Sequence, residues 1–375
     1  MKSEPVMNVG IIDRQREIEG RLNGNFYLEG TDIVSGPFSA RAADRTIILS
    51  DGQGREIVRS ERIRLAASGN STFTLMSVVI GNRFHWERTE DQTFQGSLIL
   101  MLREDATIAA INEIPLESYL QSVISSEMSA TSPMEFLKAH AIISRSWLIS
   151  TLDRKNKAGK ISETSARPPA SGDEIVRWYE QEEHDLYDVC ADDHCQRYQG
   201  ITKIVSDNAK EAVRQTEGTI ISYKGIVCDA RYYKACGGLT EDFATAWEDI
   251  QIPYLVSISD APMAHPRINT EEEAARWMLS EPEAYCNVED SGILEKILPD
   301  FDRETKGFFR WKVEYAREEL EQILRKKSGF DFGVLKEIQP IERGPSGRIF
   351  RLKITGTKKT IIVGKELEIR RWLST

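Results

Sequence analysis

Residues 112–151 read NEIPLESYLQSVISSEMSATSPMEFLKAHAIISRSWLIST and predict two helices joined by a short polar link. The first helix starts at Pro115, because a missing amide hydrogen costs nothing at a helix start. Its apolar residues recur at helical spacing on one face, namely Tyr119, Leu120, Val123 and Ile124. The second helix has a strong start signal, with Ser132 as the cap, Pro133 at the first helical position and Glu135 three residues after the cap. The rest of the fold is predicted around this pair.

Glu127 ends the first predicted helix, next to Met128. Partial burial there would raise the pKa of its carboxyl, and a protonated acid is what a glycosidic oxygen needs as proton donor. Lys138 and Arg145 are seven residues apart on the second helix, so they share a face and are candidates to hold a polar substrate group. Spacing alone favours a different interpretation, a solvated glutamate at a helix end, since such residues are common on surfaces.

The first hundred residues are β-rich. Five apolar or alternating runs are separated by Asp-Gly, Gly-Asn and Ser-Gly turn signals, and they read VMNVGIID, GNFYLEG, RTIILSD, FTLMSVVI and SLILMLRED. This pattern predicts a β module that supports the helix pair.

Soft metal ligands cluster in one loop. His184, Cys190, His194 and Cys195 fall within twelve residues, and zinc prefers such mixed thiolate and imidazole sets. The spacing is not one of the common zinc-finger spacings. A Cys190–Cys195 disulfide and two free thiols are therefore alternatives.

The segment that follows predicts a short helix over 207–215 and a hairpin around Lys224-Gly225. The hairpin is followed in the sequence by Cys236-Gly237-Gly238-Leu239-Thr240. Two adjacent glycines allow a backbone to approach a ligand closely, so Gly237 and Gly238 are candidates for substrate binding, together with Thr240. A buried apolar role is the alternative for Cys236.

The fold class predicted from these patterns is α+β. Four segments are expected: a β-rich N-terminal module over 1–110, a catalytic core with a helix pair and mixed strands over 111–260, a mixed, largely helical segment over 261–330 and β-strands over 331–375. A helix capped by Thr270, a helix over 317–327, a strand over 307–315 and a short amphipathic helix over 173–183 are further predictions.

Composition excludes some classes of function. The chain of 375 residues has a formal net charge of −10, which argues against nucleic acid as a partner. No run of eighteen apolar residues predicts a membrane span. The N-terminus also lacks the apolar core of a signal peptide.

The helix pair contains a run of residues that recurs in a known signature: Tyr119-Leu120-x-x-Val123, Glu127-Met128, Pro133, Leu137-Lys138-Ala139-x-Ala141 and Arg145. This run resembles the stage II sporulation protein D family, which also contains the amidase enhancer proteins. The resemblance covers most of the chain and is strongest over 112–147 and 184–260. The family usually has Pro, Gln and Tyr at positions where this chain has Ser129, His140 and Trp147.

The resemblance implies a lytic transglycosylase that acts on peptidoglycan glycan strands stripped of stem peptides. Glu127 would be the catalytic acid and Arg145 an active-site residue, with Lys138 as a further substrate contact. A zinc ion, bound in the corresponding loop of some family members, would be structural and held by His184, Cys190 and Cys195. His194, Cys236 or a water would complete this site, and the pinned loop would carry Gln196 and Tyr198 toward the glycan.

Two other functions are alternatives to this one. The amidase enhancer branch suggests a glycan-binding module that stimulates an amidase partner without catalysis. A zinc hydrolase is disfavoured, because the chain has no H-E-x-x-H motif. A peptidoglycan substrate implies a location in the periplasm or cell wall, whereas the absent signal peptide leaves the cytoplasm as an alternative. The family's chains continue slightly beyond Arg370-Arg371, so a further short C-terminal tail is expected.

Overall fold

Alternating burial along the N-terminal strands builds a large sheet. In Glu17–Leu28 the side chains of Ile18, Leu22, Phe26 and Leu28 are buried and most of their neighbours are exposed, as a half-buried strand requires. A computed structural model describes residues 4–28, 32–82, 87–158, 173–179, 184–299, 307 and 309–374.

The described strands, in chain order, are β1 Val6–Gln15, β2 Glu17–Leu28, β3 Asp32–Ala43, β4 Thr46–Asp51, β5 Glu56–Ser60, β6 Arg62–Ala67, β7 Thr72–Ile80, β8 Arg88–Gln95, β9 Ser97–Leu102, β10 Ile108–Pro115, β11 Glu174–Val176, β12 Val189–Cys190, β13 Ser222–Tyr223, β14 Ile226–Val227, β15 Leu335–Arg343, β16 Ile349–Gly356 and β17 Thr360–Gly364. The described helices are α1 Leu116–Ser126, α2 Met134–Ala158, α3 Asp207–Gln215, α4 Phe243–Ala246, α5 Glu271–Leu279, α6 Ser291–Ile297, α7 Arg317–Ser328 and α8 Glu366–Leu373. The predicted α+β class is confirmed.

The chain forms two compact units. The first consists of Met1–Lys157, Gln181–Arg231 and Ser291–Glu304, and the second consists of Ala158–Glu180, Tyr232–Asp290 and Thr305–Thr375. The four segments predicted from the sequence remain a prediction. No helix in the described ranges combines the length and the apolar character that a membrane crossing needs.

In the first unit, one sheet has the strand order β12-β1-β10-β9-β6-β2-β3-β4-β5, with β7 joining β2 to β8. All of its pairings are antiparallel except that of β1 with β12. Aromatic rings connect this sheet to α1: Phe94 lies 5.8 Å from Tyr198, which lies 5.1 Å from Tyr119, measured between ring centroids. The core therefore lies between the sheet, α1 and the loop that carries Tyr198.

In the second unit, β11-β17-β16-β15 form a smaller sheet on which α7 and α8 pack. Its core includes Leu324, Ile354 and Trp372, all nearly inaccessible to solvent. Helix α5 begins with the predicted cap, since Thr270 and Glu273 form a complete capping box.

Two local predictions were wrong. The described part of 173–183 contains strand β11 instead of a helix, because it pairs in parallel with β17, far away in the sequence. Residues 307 and 309–315 contain no strand. The predicted C-terminal strands are present as β15, β16 and β17. Helix α8 follows them and was not predicted; its Ile369 and Trp372 are buried in the core.

Candidate functional site

Helix α1 places Glu127 at its C-terminal end. Tyr119, Leu120, Val123 and Ile124 are completely buried, which fixes the rotation of the helix about its axis. The Glu127 amide donates to Val123 O at 2.9 Å, so this residue closes the last turn. Its side chain is half-buried at the edge of the core.

The Glu127 carboxylate is held by the loop that contains the predicted metal ligands. Its Oε1 accepts a hydrogen bond of 2.8 Å from the backbone amide of Arg197. Two residues further, the amide of Gln199 donates to Ser126 Oγ at 3.3 Å. A carboxylate bound to a backbone amide forms a charge-assisted hydrogen bond, so the loop orients the candidate acid.

Gln196 and Tyr198, which the sequence assigns to substrate, are each only 1% exposed. Tyr119 Oη donates to Gln196 Oε1 at 3.1 Å, and Tyr198 Oη donates to Asn112 Oδ1. Burial raises the pKa of Tyr198 well above its usual range. In this structure both side chains anchor the loop on the core, and their contact with glycan remains a prediction.

Arg145 lies inside the first unit and is 1% exposed. Its Nε and Nη2 donate to the two carboxylate oxygens of Glu117 at 2.9 and 2.6 Å, and its Nη1 donates to Thr219 O at 3.0 Å. Lys138 forms a separate ion pair with Glu135, at 2.8 Å. The predicted active-site role of Arg145 remains a prediction, and its observed contacts tie α2 to the first turn of α1.

The structure brings together four of the five predicted metal ligands. The ligand atoms of His184, Cys190, His194 and Cys195 all lie within 4.8 Å of one another. His184 Nε2 lies 3.3 Å from Cys195 Sγ, and His194 Nδ1 lies 3.5 and 3.8 Å from the sulfurs of Cys195 and Cys190. Zinc bonds to nitrogen and sulfur give a tetrahedron with edges of about 3.3 to 3.8 Å, so the residues present fit a zinc ion.

Electrostatics also suit a metal here. A hydrogen bond from Cys195, followed by those from His184 and His194, lowers the pKa of the Cys190 thiol far below its usual range. The thiolate is the form that binds metal. Both cysteines are free thiols in this structure and not a disulfide.

Neighbouring elements fix the backbone of this loop. Cys190 pairs with Gly10 of β1, where a Cβ atom would lie 2.6 Å from the Tyr187 ring, so the close packing requires glycine. Lys155 of α2 donates to the carbonyls of His184 and Tyr187 at 2.8 and 2.6 Å. The candidate ligands are therefore preorganised by the sheet and by α2.

The remaining predicted residues belong to the second unit. Cys236, one of the alternatives for a fourth ligand, lies next to Asp260 and Cys286. Gly237 and Gly238 both have positive φ angles, and Thr240 donates to Val256 O at 2.8 Å. The binding of substrate by this Gly-Gly turn remains a prediction.

A cleft of about 930 Å³ in the first unit is bordered by His184, Cys190 and His194. Gln92 and Gln199 also line it and are 1% and 2% exposed. Within the described part of the chain, neither polar atom of the Gln92 side chain has a hydrogen-bond partner, and the same holds for Gln199 Oε1. The cleft thus has unused hydrogen-bonding capacity, which the binding of a polar molecule needs.

Sequence reasoning missed Arg197 and Glu117. Arg197 contributes its backbone amide, which any residue other than proline provides, so no side-chain pattern could reveal it. Glu117 carried a weak signal as the acidic residue in the first turn of an apolar helix. Nothing in that signal connects it to Arg145, 28 residues further along the chain.

Two family models and several known proteins match parts of this chain. A family model described as "Stage II sporulation protein" matches residues 104–223, and one described as "Domain of unknown function (DUF8618)" matches residues 241–375. Stage II sporulation protein D of Bacillus subtilis is 28% identical over 152 residues, and that of Bacillus amyloliquefaciens is 26% identical over 154 residues. An uncharacterized protein of Brachyspira hyodysenteriae is 26% identical over 164 residues.

These matches cover 40% to 43% of this chain. The chain in turn spans only 36% to 39% of the length of these relatives. The region matched by the stage II sporulation protein model, residues 104–223, contains α1, α2, Glu127, Arg145 and the whole cysteine and histidine loop.

Proposed function

Because residues 104–223 match the family model described as "Stage II sporulation protein", we propose that this chain is a peptidoglycan lytic transglycosylase with Glu127 as its general acid and base. Glu127 protonates the oxygen that links N-acetylmuramic acid to N-acetylglucosamine, and the bond from C1 to that oxygen breaks. The C6 hydroxyl of the muramic acid then bonds to C1 and returns its proton to Glu127. The product is a 1,6-anhydro end, and no water is consumed.

The observation that carries this proposal is the position of the Glu127 carboxylate. It is half-buried at the end of a buried helix and oriented by the Arg197 amide at 2.8 Å. One positioned carboxyl suffices for this reaction, because the substrate's own hydroxyl takes the role of the second carboxylate of ordinary glycoside hydrolases. General acid catalysis needs such a positioned group within hydrogen-bond reach of the oxygen.

We further propose that zinc is bound by His184, Cys190, His194 and Cys195. Four protein ligands fill a tetrahedral site, which is typical of structural zinc. When bound, the ion supplies folding free energy to a loop that has no preformed site in the unfolded chain. The four ligand residues would hold the loop in place, so that the Arg197 backbone amide stays hydrogen-bonded to the Glu127 carboxylate.

The proposed substrate is glycan freed of stem peptides. Because peptidoglycan lies outside the cytoplasmic membrane, we propose that this chain acts there. An amidase is the proposed partner if the chain acts as an enhancer instead of an enzyme. Both activities use glycan binding, so the distinction depends on bond cleavage alone.

The test is mass analysis of products from purified, peptide-free glycan strands. Anhydro ends, lighter than hydrolysed ends by one water, support the proposal. Hydrolysed reducing ends would instead indicate a glycosidase that activates water. Binding without cleavage, together with faster turnover by an added amidase, would indicate an enhancer.

A further inference from the structure

A second cluster of potential metal ligands lies in the second unit. Cys236 Sγ lies 3.5 Å from Cys286 Sγ and 3.4 Å from Asp260 Oδ2. The three ligand atoms lie within 4.8 Å of one another, although 50 residues separate the two cysteines. These separations are close to the edges of a tetrahedron around zinc, about 3.5 to 3.8 Å for sulfur and carboxylate ligands.

Hydrogen bonds of the backbone already join the chain segments that carry these three ligands. Asp260 N donates to Gly238 O at 2.9 Å, and Tyr285 N donates to Asp260 O at 2.8 Å. The amide of Cys286 also donates to Asp260 Oδ2 at 3.1 Å. Three chain segments therefore present their ligands from fixed positions, so little ordering remains to oppose binding.

The turn after Cys236 has a geometry suited to a thiolate ligand. Gly237 and Gly238 have φ angles of 70° and 99°, which a side chain rarely tolerates. This conformation directs the Gly238 amide to donate to Cys236 Sγ. Amide donors to a ligand sulfur stabilise its anionic form and orient it, as outer-shell contacts of metal sites do.

The charge balance near the cluster favours a divalent cation. Arg348 Nη2 donates to Cys236 O at 2.6 Å, and Arg310 Nη1 donates to Gly237 O at 3.0 Å. Two thiolates and one carboxylate carry three negative charges against these two guanidinium groups. This count applies once metal binding has displaced the thiol protons. The ligands and the two guanidinium groups then sum to −1, which a divalent cation offsets.

From this geometry we propose that Cys236, Asp260 and Cys286 bind a second zinc ion, with a water as fourth ligand. The ion links the Cys-Gly-Gly turn to the segments around Asp260 and Cys286. It is distinct from the ion proposed for the histidine-containing loop, and its ligands come only from the second unit.

The test is a metal count on the full chain, loaded with zinc and then dialysed in metal-free buffer. The expected result is two zinc ions per chain in the wild type and one in Cys286→Ser. Cys190→Ser should also retain one, which separates this site from the first. Cys228→Ser is the matched control, because Cys228 is buried outside both clusters and should leave the count unchanged.

Cobalt binding gives a second readout that does not depend on a variant. Titration of the wild type with Co²⁺ should saturate at two equivalents with thiolate-to-cobalt absorption at each. Saturation at one equivalent that Cys286→Ser leaves unchanged would overturn the proposal. So would a Cys236–Cys286 disulfide, revealed by three instead of five titratable thiols in chelated, denatured, unreduced protein.

Discussion

Glu127 is the residue on which the proposed chemistry depends. Glu127→Gln keeps the acceptor for the Arg197 amide but removes the acidic proton, so the fold and glycan binding should persist. Turnover should fall on the order of 10²–10⁴-fold, the usual contribution of general acid catalysis. The measurement is the rate of anhydro-end formation on peptide-free strands, alongside a thermal melt.

Glu104→Gln is the matched control, since Glu104 is an exposed acid within the same family match. It should cleave at the wild-type rate. Full activity in Glu127→Gln would remove Glu127 from the mechanism.

His140 sets a pH dependence of stability. Its ring is 5% exposed, and burial lowers its pKa from 6.5 to about 4. The unfolded chain therefore binds this proton at a higher pH than the folded chain does. Stability is fully present above pH 6.5 and is lost as the pH falls toward 4, by about 3 kcal/mol for this group.

His140→Gln, which introduces the residue usual in the resembling family, should remove this contribution. Chemical denaturation at pH 7 and pH 4 measures the difference for both proteins. An equal loss in wild type and variant would show that other groups cause the acid sensitivity.

At the scale of elements, the Arg145–Glu117 pair ties α2 to α1. Arg145→Met leaves the carboxylate of Glu117 without its partner in a place that is only 17% exposed. Breaking such a buried pair should cost about 3 to 5 kcal/mol of unfolding free energy, measured by chemical denaturation. The double variant Glu117→Gln with Arg145→Met should lose less, because no unpaired charge remains.

Lys138→Met provides the control, because Lys138 pairs with Glu135, which is 85% exposed. That pair should contribute about 0 to 1 kcal/mol. If Arg145→Met is as stable as the wild type but loses glycan affinity, Arg145 contacts substrate as the resemblance implies.

The loop of the first zinc site is the second element that can be tested. Chelator or Cys190→Ser should lower the melting temperature and slow cleavage, because the loop that carries Arg197 loosens. Reductant alone should change neither. Cys228→Ser should keep the chelator sensitivity of the wild type, whereas a protein sensitive to reductant and indifferent to chelator would contain a Cys190–Cys195 disulfide.

At the scale of the whole molecule, each unit has its own buried core. Leu120 belongs to the core of the first unit and Ile354 to that of the second, and both are completely buried. Leu120→Ala and Ile354→Ala should each cost about 2 to 5 kcal/mol, because each leaves a cavity. Hydrogen exchange should accelerate first in the sheet of the unit that carries the substitution. Equal acceleration in both sheets would contradict two separate cores.

The sequence by itself determined features that depend on near neighbours. Helix α3 was predicted with its observed bounds, Thr270 was predicted as the cap of α5, and α1 was predicted from its apolar stripe. The loop with two histidines and two cysteines was also recognised. These signals lie within about one element, where helical or strand periodicity fixes which side chains share a face.

Only the tertiary structure decided the partners across long separations. It placed the Arg197 amide on Glu127, Glu117 on Arg145, and Cys236 beside Cys286. It also turned a predicted helix into β11, since pairing with β17 outweighs a weak local preference. Periodicity carries no information about which distant segments meet, because that choice is made by the packing of the whole core.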